Sequence, residues 1–323
     1  MSYGVQIPPT VSDPTAFAVR AEALGYEAAW VPELWYDSGV VRLADIAART
    51  DDIQLGSAIL NVFSRTPAVL AMTAASLDRV SGGRFTLGVG TSTPKAVEDL
   101  HGMSFDTPVR RAHECIELVR EFLGDGGRVE YDGQVFQVAD FPSLGREVPV
   151  YHAALGPANR RVVARLCDGW IPHNVPWSEL PEAYDYVREH AAEAGRDGDD
   201  ITVAPYVPAA VCDTEAEAEQ LIREHVAYYA GSGKGYEKAV GSRYPEAAEA
   251  IAAAWREGDR SGAAEHVTDE MVADLGVAGT PETAPDRLAE LVGLEVIDRP
   301  MLVVPQTAGA ETAERTLEAL APA

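Results

Sequence analysis

The sequence predicts an α/β fold, a single (β/α)8 TIM barrel over residues 1–323 with insertions. Eight strand candidates alternate with helices, which suits a closed barrel better than an open sheet. The 323 residues are enough for such a barrel with additions. The run from Leu77 to Ser92 reads as a helix end, a glycine stop at Gly82-Gly83 and a strand alternating at Phe85, Leu87 and Val89. It ends in small residues, Gly90-Thr91-Ser92-Thr93-Pro94, over which a ligand can approach the backbone.

The elements follow in order. Tyr3 to Ile7 is a short strand, and Ser12-Asp13-Pro14 is an N-cap signal for a helix running to Gly25. Ala28 to Val31 is the next strand, Leu43 to Arg49 is helical, and Ile53 to Leu60 is extended. Pro67 opens a helix to Val80 before the glycine-rich strand. A helix from about Pro108 to Leu123 places Ile116, Val119 and Leu123 on one face. Val148 to Leu155 is a strand, Asn159 to Leu166 a helix and Gly169 to Pro172 a short strand. Glu179 to Ala194 is helical and Ile201 to Val207 extended. Helices near Thr214 to Tyr229 and Pro281 to Val292, a strand at Met301 to Val304 and a helix from Ala310 complete the chain.

Three segments exceed the minimal repeat. Leu34 to Val41 is a long loop. Residues 128–145 hold a hairpin insertion whose turn is Tyr131-Asp132-Gly133-Gln134. Residues 231–278 form a polar, helical excursion. No repeat of 20–50 residues is present, which argues against a solenoid.

Charge narrows the partners. The chain carries 51 acidic and 26 basic residues, a formal net charge of −25, and only Lys95, Lys234 and Lys238 are lysines. This field opposes nucleic acid and anionic membrane as partners. Self-repulsion at this level destabilises the compact state in dilute buffer, and at molar salt the Debye length falls to about 3 Å. A halophilic origin is the expectation, and the thermal midpoint should rise steeply from dilute to molar salt. A midpoint independent of salt would count against it. There is no apolar run long enough for a membrane span and no visible signal peptide. Cys115, Cys167 and Cys212 are scattered and odd in number, as expected in a reducing cytoplasm.

Several motifs are decoys. Gly231-Ser232-Gly233-Lys234-Gly235 lacks the first glycine of a phosphate loop and the Ser or Thr after its lysine. Gly88-Val89-Gly90 opens like a dinucleotide fingerprint, but Thr93 replaces the third glycine. His113-Glu114 opens like a zinc-protease helix, but position 117 is Glu. No Cys or His pair has metal-ligand spacing, so no metal is expected, and His113, His190 and His225 read as solvated helix positions.

The run Leu77 to Ser92 resembles the signature of the bacterial luciferase-like family, TIM barrels that bind FMN or the deazaflavin coenzyme F420. Leu55-Gly56-Ser57-Ala58-Ile59-Leu60-Asn61 is similar to the third barrel strand of its F420-dependent branch, and Val148 to Pro157 and Asp168 to Pro172 resemble its fifth and next strands. The resemblance implies a non-prolyl cis bond at Ala58–Ile59, with Ala58, Ile59 and Asn61 backing the ring. It implies that Gly90, Thr91 and Ser92 present backbone and hydroxyl groups to the cofactor. It also implies that Ala154, Leu155, Gly156 and Pro157 border the phosphate, where a helix N-terminus independently favours an anion. Glu33 matches the acidic residue before the family's catalytic histidine, but Leu34 replaces that histidine. Gln6 stands where part of the branch carries an acid. Both lie at strand ends, so Glu33 and Gln6 are the candidate catalytic residues. Trp30, Trp35 and Trp177 are candidate pocket walls, and Arg65, Lys95, Arg160 and Arg161 candidate partners of an anionic tail.

The implied function is an F420-dependent oxidoreductase passing hydride between the deazaflavin C5 and a small organic substrate, in the cytoplasm and as a homo-oligomer. An FMN-dependent monooxygenase and a non-catalytic flavin- or deazaflavin-binding protein are the alternatives.

Overall fold

The computed structural model describes residues 3–35 and 37–322. The chain divides into two compact units, one of residues 1–29, 172–186 and 202–323, the other of residues 30–171 and 187–201.

In chain order the elements are β1 (Gly4–Gln6), α1 (Pro14–Ala23), β2 (Ala28–Val31), α2 (Gly39–Ala47), β3 (Gln54–Ser57), β4 (Leu60–Asn61), α3 (Pro67–Ser81), β5 (Phe85–Gly90) and α4 (Pro108–Leu123). The hairpin strands β6 (Arg128–Asp132) and β7 (Gln137–Pro142) follow, then β8 (Val150–Ala153), α5 (Pro157–Leu166), β9 (Gly169–Trp170), α6 (Leu180–Glu193), β10 (Thr202–Val203) and β11 (Tyr206–Val211). The chain continues through α7 (Glu215–Ser232), α8 (Lys234–Val240), α9 (Pro245–Glu257), α10 (Arg260–Glu265) and α11 (Asp269–Leu275). It closes with β12 (Val277–Gly279), α12 (Ala284–Val292), β13 (Met301–Val303) and α13 (Ala310–Ala319). Among the described residues no helix is long and apolar enough to cross a membrane.

In the second unit parallel strands run β9–β8–β5–β3, with β4 also on β5. Their registers set Asn61 beside Gly90 and Gly90 beside Ala153, so three strand ends meet in one row. Close packing depends on glycine. A Cβ on Gly56 would meet the Trp30 ring at 2.1 Å, and one on Gly88 would meet the Ser57 carbonyl oxygen at 1.9 Å. The α3 helix starts at a Thr66 cap and stops at Gly82 in the left-handed conformation. Arg84 then donates to the carbonyls of Ala47, Thr50, Ile53 and Ser81, tying α2 and α3 to the start of β5.

In the first unit β1, β13, β11 and β12 form parallel neighbours in that order. Helices α7 to α11 build a separate apolar core around Ile222, Val226, Ile251 and Met271. The Tyr3 and Tyr26 hydroxyls donate to the carbonyls of Leu320 and Leu317, anchoring the last helix.

Some elements depart from the sequence reading. The helix expected from Leu43 begins at Gly39, because the Glu33 carboxylate accepts the Gly39 N–H at 2.8 Å. The expected 34–41 loop is shortened accordingly, and Tyr36 within it lies outside the described residues. Extension over 53–60 is interrupted at Ala58–Ile59, and 201–207 is two strands, the second reaching Val211. The hairpin turn shifts to Gly133–Phe136, since the buried Glu114 carboxylate accepts the N–H groups of Gln134, Val135 and Phe136. Those three bonds hold the Glu114 carboxyl below its usual range against the cost of burial. The excursion includes the strand β12, too short for its alternation to be visible, and a π-helical turn at Lys95–Leu100 had no sequence signal.

Candidate functional site

In the second unit, the row Asn61, Gly90 and Ala153 sits where three chains leave the sheet. The Ala58–Ile59 peptide is cis and separates β3 from β4. On one side of it Ser57 is fully buried; its hydroxyl donates to the Gly88 carbonyl at 2.8 Å and accepts the Gly88 N–H at 2.9 Å. On the other, Ile59 lies over Gly90, where a Cβ would meet its side chain at 3.1 Å and that of Ala153 at 3.4 Å. A larger residue at 90 would displace this floor. Ser92 holds a left-handed backbone, φ 59°, just beyond β5.

Asn61 is fixed rather than free. Its Oδ1 accepts from the N–H groups of Phe63 and Ser64, and its Nδ2 lies 3.3 Å from His101 Nε2. Phe63 stacks on Phe105, and the Arg111 guanidinium sits between the Phe63 and Phe136 rings.

The segment after β8 turns into α5 at Gly156, an exposed N-cap in extended conformation. No side chain caps this helix, and a Cβ at Gly156 would meet nothing within 4 Å. Ala154 is buried and its carbonyl accepts the Trp170 indole N–H at 2.7 Å; Leu155 is half-buried and Pro157 is the first helical residue. His152, fully buried, lies 3.2 Å from the Val89 carbonyl and 3.4 Å from Asn159 Oδ1, and burial lowers its basicity.

Glu33 forms a two-pronged ion pair with Arg65, besides accepting the Gly39 N–H. Arg65 is thereby committed to a carboxylate, and Lys95 is exposed and paired with Asp99. Arg160 lies over the Trp170 ring. Trp30 is buried against Tyr151, while Trp35 is exposed.

Gln6 belongs to the first unit, buried at the end of β1 and hydrogen-bonded to the Tyr206 phenol. Tyr206 stacks on His173 with centroids 4.5 Å apart, and His173 Nε2 lies 3.3 Å from His225 Nε2. The rings of Tyr229 and Tyr236 complete the cluster. His225 is therefore not a solvated helix position: α7 turns it inward, and burial lowers its pKa to about 3. His173 is also held well below its usual value, by burial and by the neighbouring imidazole.

Two neutral, buried histidines predict acid sensitivity. Their folded pKa values lie below the unfolded value of about 6.5. Below that pH the unfolded chain takes up protons that the folded chain refuses. Stability is therefore full above about pH 6.5 and is lost as pH falls, by about 1.4 kcal/mol per pH unit for each histidine. Thermal unfolding from pH 6.5 to 5.5, where the unfolded histidine is only partly protonated, should show a loss of about 1 kcal/mol per histidine, and His225→Phe should reduce it. An unchanged slope in the variant would contradict the burial of a neutral His225.

Parallel strands followed by helices, with small residues and an uncapped helix N-terminus at the strand ends, define an α/β protein. Residues 2–296 match the luciferase-like monooxygenase family, and the chain belongs to it. It is 30% identical to the 5,10-methylenetetrahydromethanopterin reductase of Methanopyrus kandleri, over 90% of this chain and 89% of that protein. The solved structure of the coenzyme F420-dependent tetrahydromethanopterin reductase from Methanopyrus kandleri is similar with TM-score 0.81 and 27% identity, covering 99% and 97% of the two chains. The oxygenating component of a Pseudomonas putida diketocamphane monooxygenase, solved with FMN, shares the fold at TM-score 0.66 and 18% identity, over 99% and 96%. The α/β TIM-barrel class read from the sequence is that of these relatives, and the family is the one its glycine signature resembled.

Sequence reasoning missed Ser57, which locks the glycine strand, because a lone serine in an apolar strand carries no signal. It also missed His152 and the cluster around His173, whose residues are dispersed along the chain.

Proposed function

We propose that this protein is an F420-dependent oxidoreductase that transfers hydride between the deazaflavin C5 and a small organic substrate. The observation that carries the reading is the near full-length likeness to an F420-dependent reductase in a chain that keeps the Ile59–Gly90–Ala153 floor. The residues fit the group: Ile59, Gly90 and Ala153 pack into a compact apolar floor, and the uncapped α5 N-terminus suits a phosphate. When bound, the cofactor supplies the hydride chemistry. Ala58, Ile59 and Asn61 back its ring, Gly90, Thr91 and Ser92 offer backbone and hydroxyl groups, and Ala154, Leu155, Gly156 and Pro157 border its phosphate. Glu33 faces the substrate. Both Glu33 oxygens are already engaged by Arg65 and Gly39, which suits a fixed negative charge that orients the substrate better than a proton shuttle.

The protein acts in the cytoplasm as a homo-oligomer on this reading. Exposed Val41, Val69, Met72 and Val80 on α2 and α3 offer apolar surface for association. The FMN-bound monooxygenase of the same fold keeps an oxygen-using reading in view. Anaerobic turnover separates the two. Reduced F420 should be oxidised by an organic acceptor at the same rate with and without oxygen; a strict oxygen requirement with FMN would overturn the proposal.

A further inference from the structure

With 51 acidic residues against 26 basic ones, an arginine of this chain readily finds a carboxylate. Arg42, Arg65, Arg120, Arg188 and Arg223 all do. Arg111, in the second unit, does not. Among the described residues it makes no ion pair and no hydrogen bond. The next carboxylate along its helix, Glu114, is taken up by the hairpin N–H groups of Gln134, Val135 and Phe136.

Arg111 is nonetheless held in place. Its guanidinium is clamped by the Phe63 and Phe136 rings, at 4.8 and 5.0 Å from their centroids. The side chain is half-buried, and its Nε is shut off from solvent without a partner. Cation–π attraction draws on the charge and fills none of the planar fork of N–H donors. An ordered, partly desolvated guanidinium of this kind suits a bidentate carboxylate.

Its position joins it to the floor row. Phe63 stands two residues beyond Asn61, whose Oδ1 accepts the Phe63 N–H at 3.0 Å. Arg111 lies in the first turn of α4, and α4 packs on α5. These helices follow the parallel neighbours β5 and β8, so both begin at the strand-end edge of the sheet, where ligands of such sheets bind. The other cations of this region considered for an anionic tail, Arg65 and Lys95, are spent on Glu33 and Asp99.

We infer that Arg111 receives a carboxylate of the cofactor's glutamyl tail, beyond the phosphate at α5. This rests on the F420 reading. A negatively charged protein repels a polyanionic tail, and one unpaired, clamped cation at the rim gives that tail a fixed counter-ion.

The test measures binding to the full-length protein in molar potassium chloride, by fluorescence quenching. Three probes are compared: F420, the same cofactor without its glutamyl residues, and the deazaflavin alcohol FO, which also lacks the phosphate. Partly buried pairs are screened less than exposed ones, so the native protein should prefer F420 to its glutamate-free form about fivefold. Arg111→Met should bring the two within twofold of each other, while FO and the glutamate-free form keep their native affinities. Arg111→Lys, which keeps the charge without the fork, should restore part of the preference. A native protein without the preference, a folded Arg111→Met protein that retains it, or an equal loss for all three probes would overturn the inference. Failure of the folded native protein to bind any of the three would instead overturn the function on which it rests.

Discussion

Gly88→Ala is expected to destabilise the protein by about 3 kcal/mol or more. The new Cβ would stand 1.9 Å from the Ser57 carbonyl oxygen, a backbone atom that cannot swing aside as a side-chain tip can. Ser57 is itself bound to Gly88 through both the N–H and the carbonyl, so one methyl group would push apart the contact that aligns β3 with β5. Overpacking of a closed site costs about 1–3 kcal/mol and more where backbone must move; the upper end applies here. Ser57→Ala, which removes both hydroxyl bonds without a clash, should cost about 1–3 kcal/mol. Chemical denaturation of both variants ranks them. A Gly88→Ala protein as stable as the native one would contradict the packing at this strand end.

Gly156→Asp should act in opposite directions on stability and binding. Gly156 has an extended backbone open to any residue, and there is room for a side chain. Aspartate is a better N-cap than glycine and favours the helix dipole, adding a few tenths of a kcal/mol to about 1 kcal/mol. The same carboxylate would occupy the place proposed for the cofactor phosphate and repel it. A thermal midpoint equal to or above the native one, with F420 affinity at least tenfold weaker, is the expected pair of results. Unchanged affinity in the more stable variant would remove the phosphate from α5.

Much of this was legible because it is local. The alternation at Phe85, Leu87 and Val89 and the Gly82 stop depend on residues within a few positions, and they fall where the sequence puts them, whereas α5 starts at Pro157, two residues before the expected Asn159. The Ala58–Ile59 cis bond was visible only through family resemblance. What was hidden depends on distant partners. The early start of α2 is set by Glu33, the hairpin turn by Glu114, and the burial of His225 by His173, fifty-two residues away. Neither the unpaired amide of Asn174 nor the two hydrogen bonds between the Ser57 hydroxyl and Gly88 leave a trace in composition or periodicity, because each is defined by what surrounds it.

The central claim is the cofactor, and its most direct test is the binding of oxidised F420 and of FMN to the protein in molar potassium chloride, by fluorescence quenching and ultrafiltration. The account predicts tight, stoichiometric binding of F420 and weak binding of FMN. Selective binding of FMN, or of neither by protein shown to be folded, would contradict it.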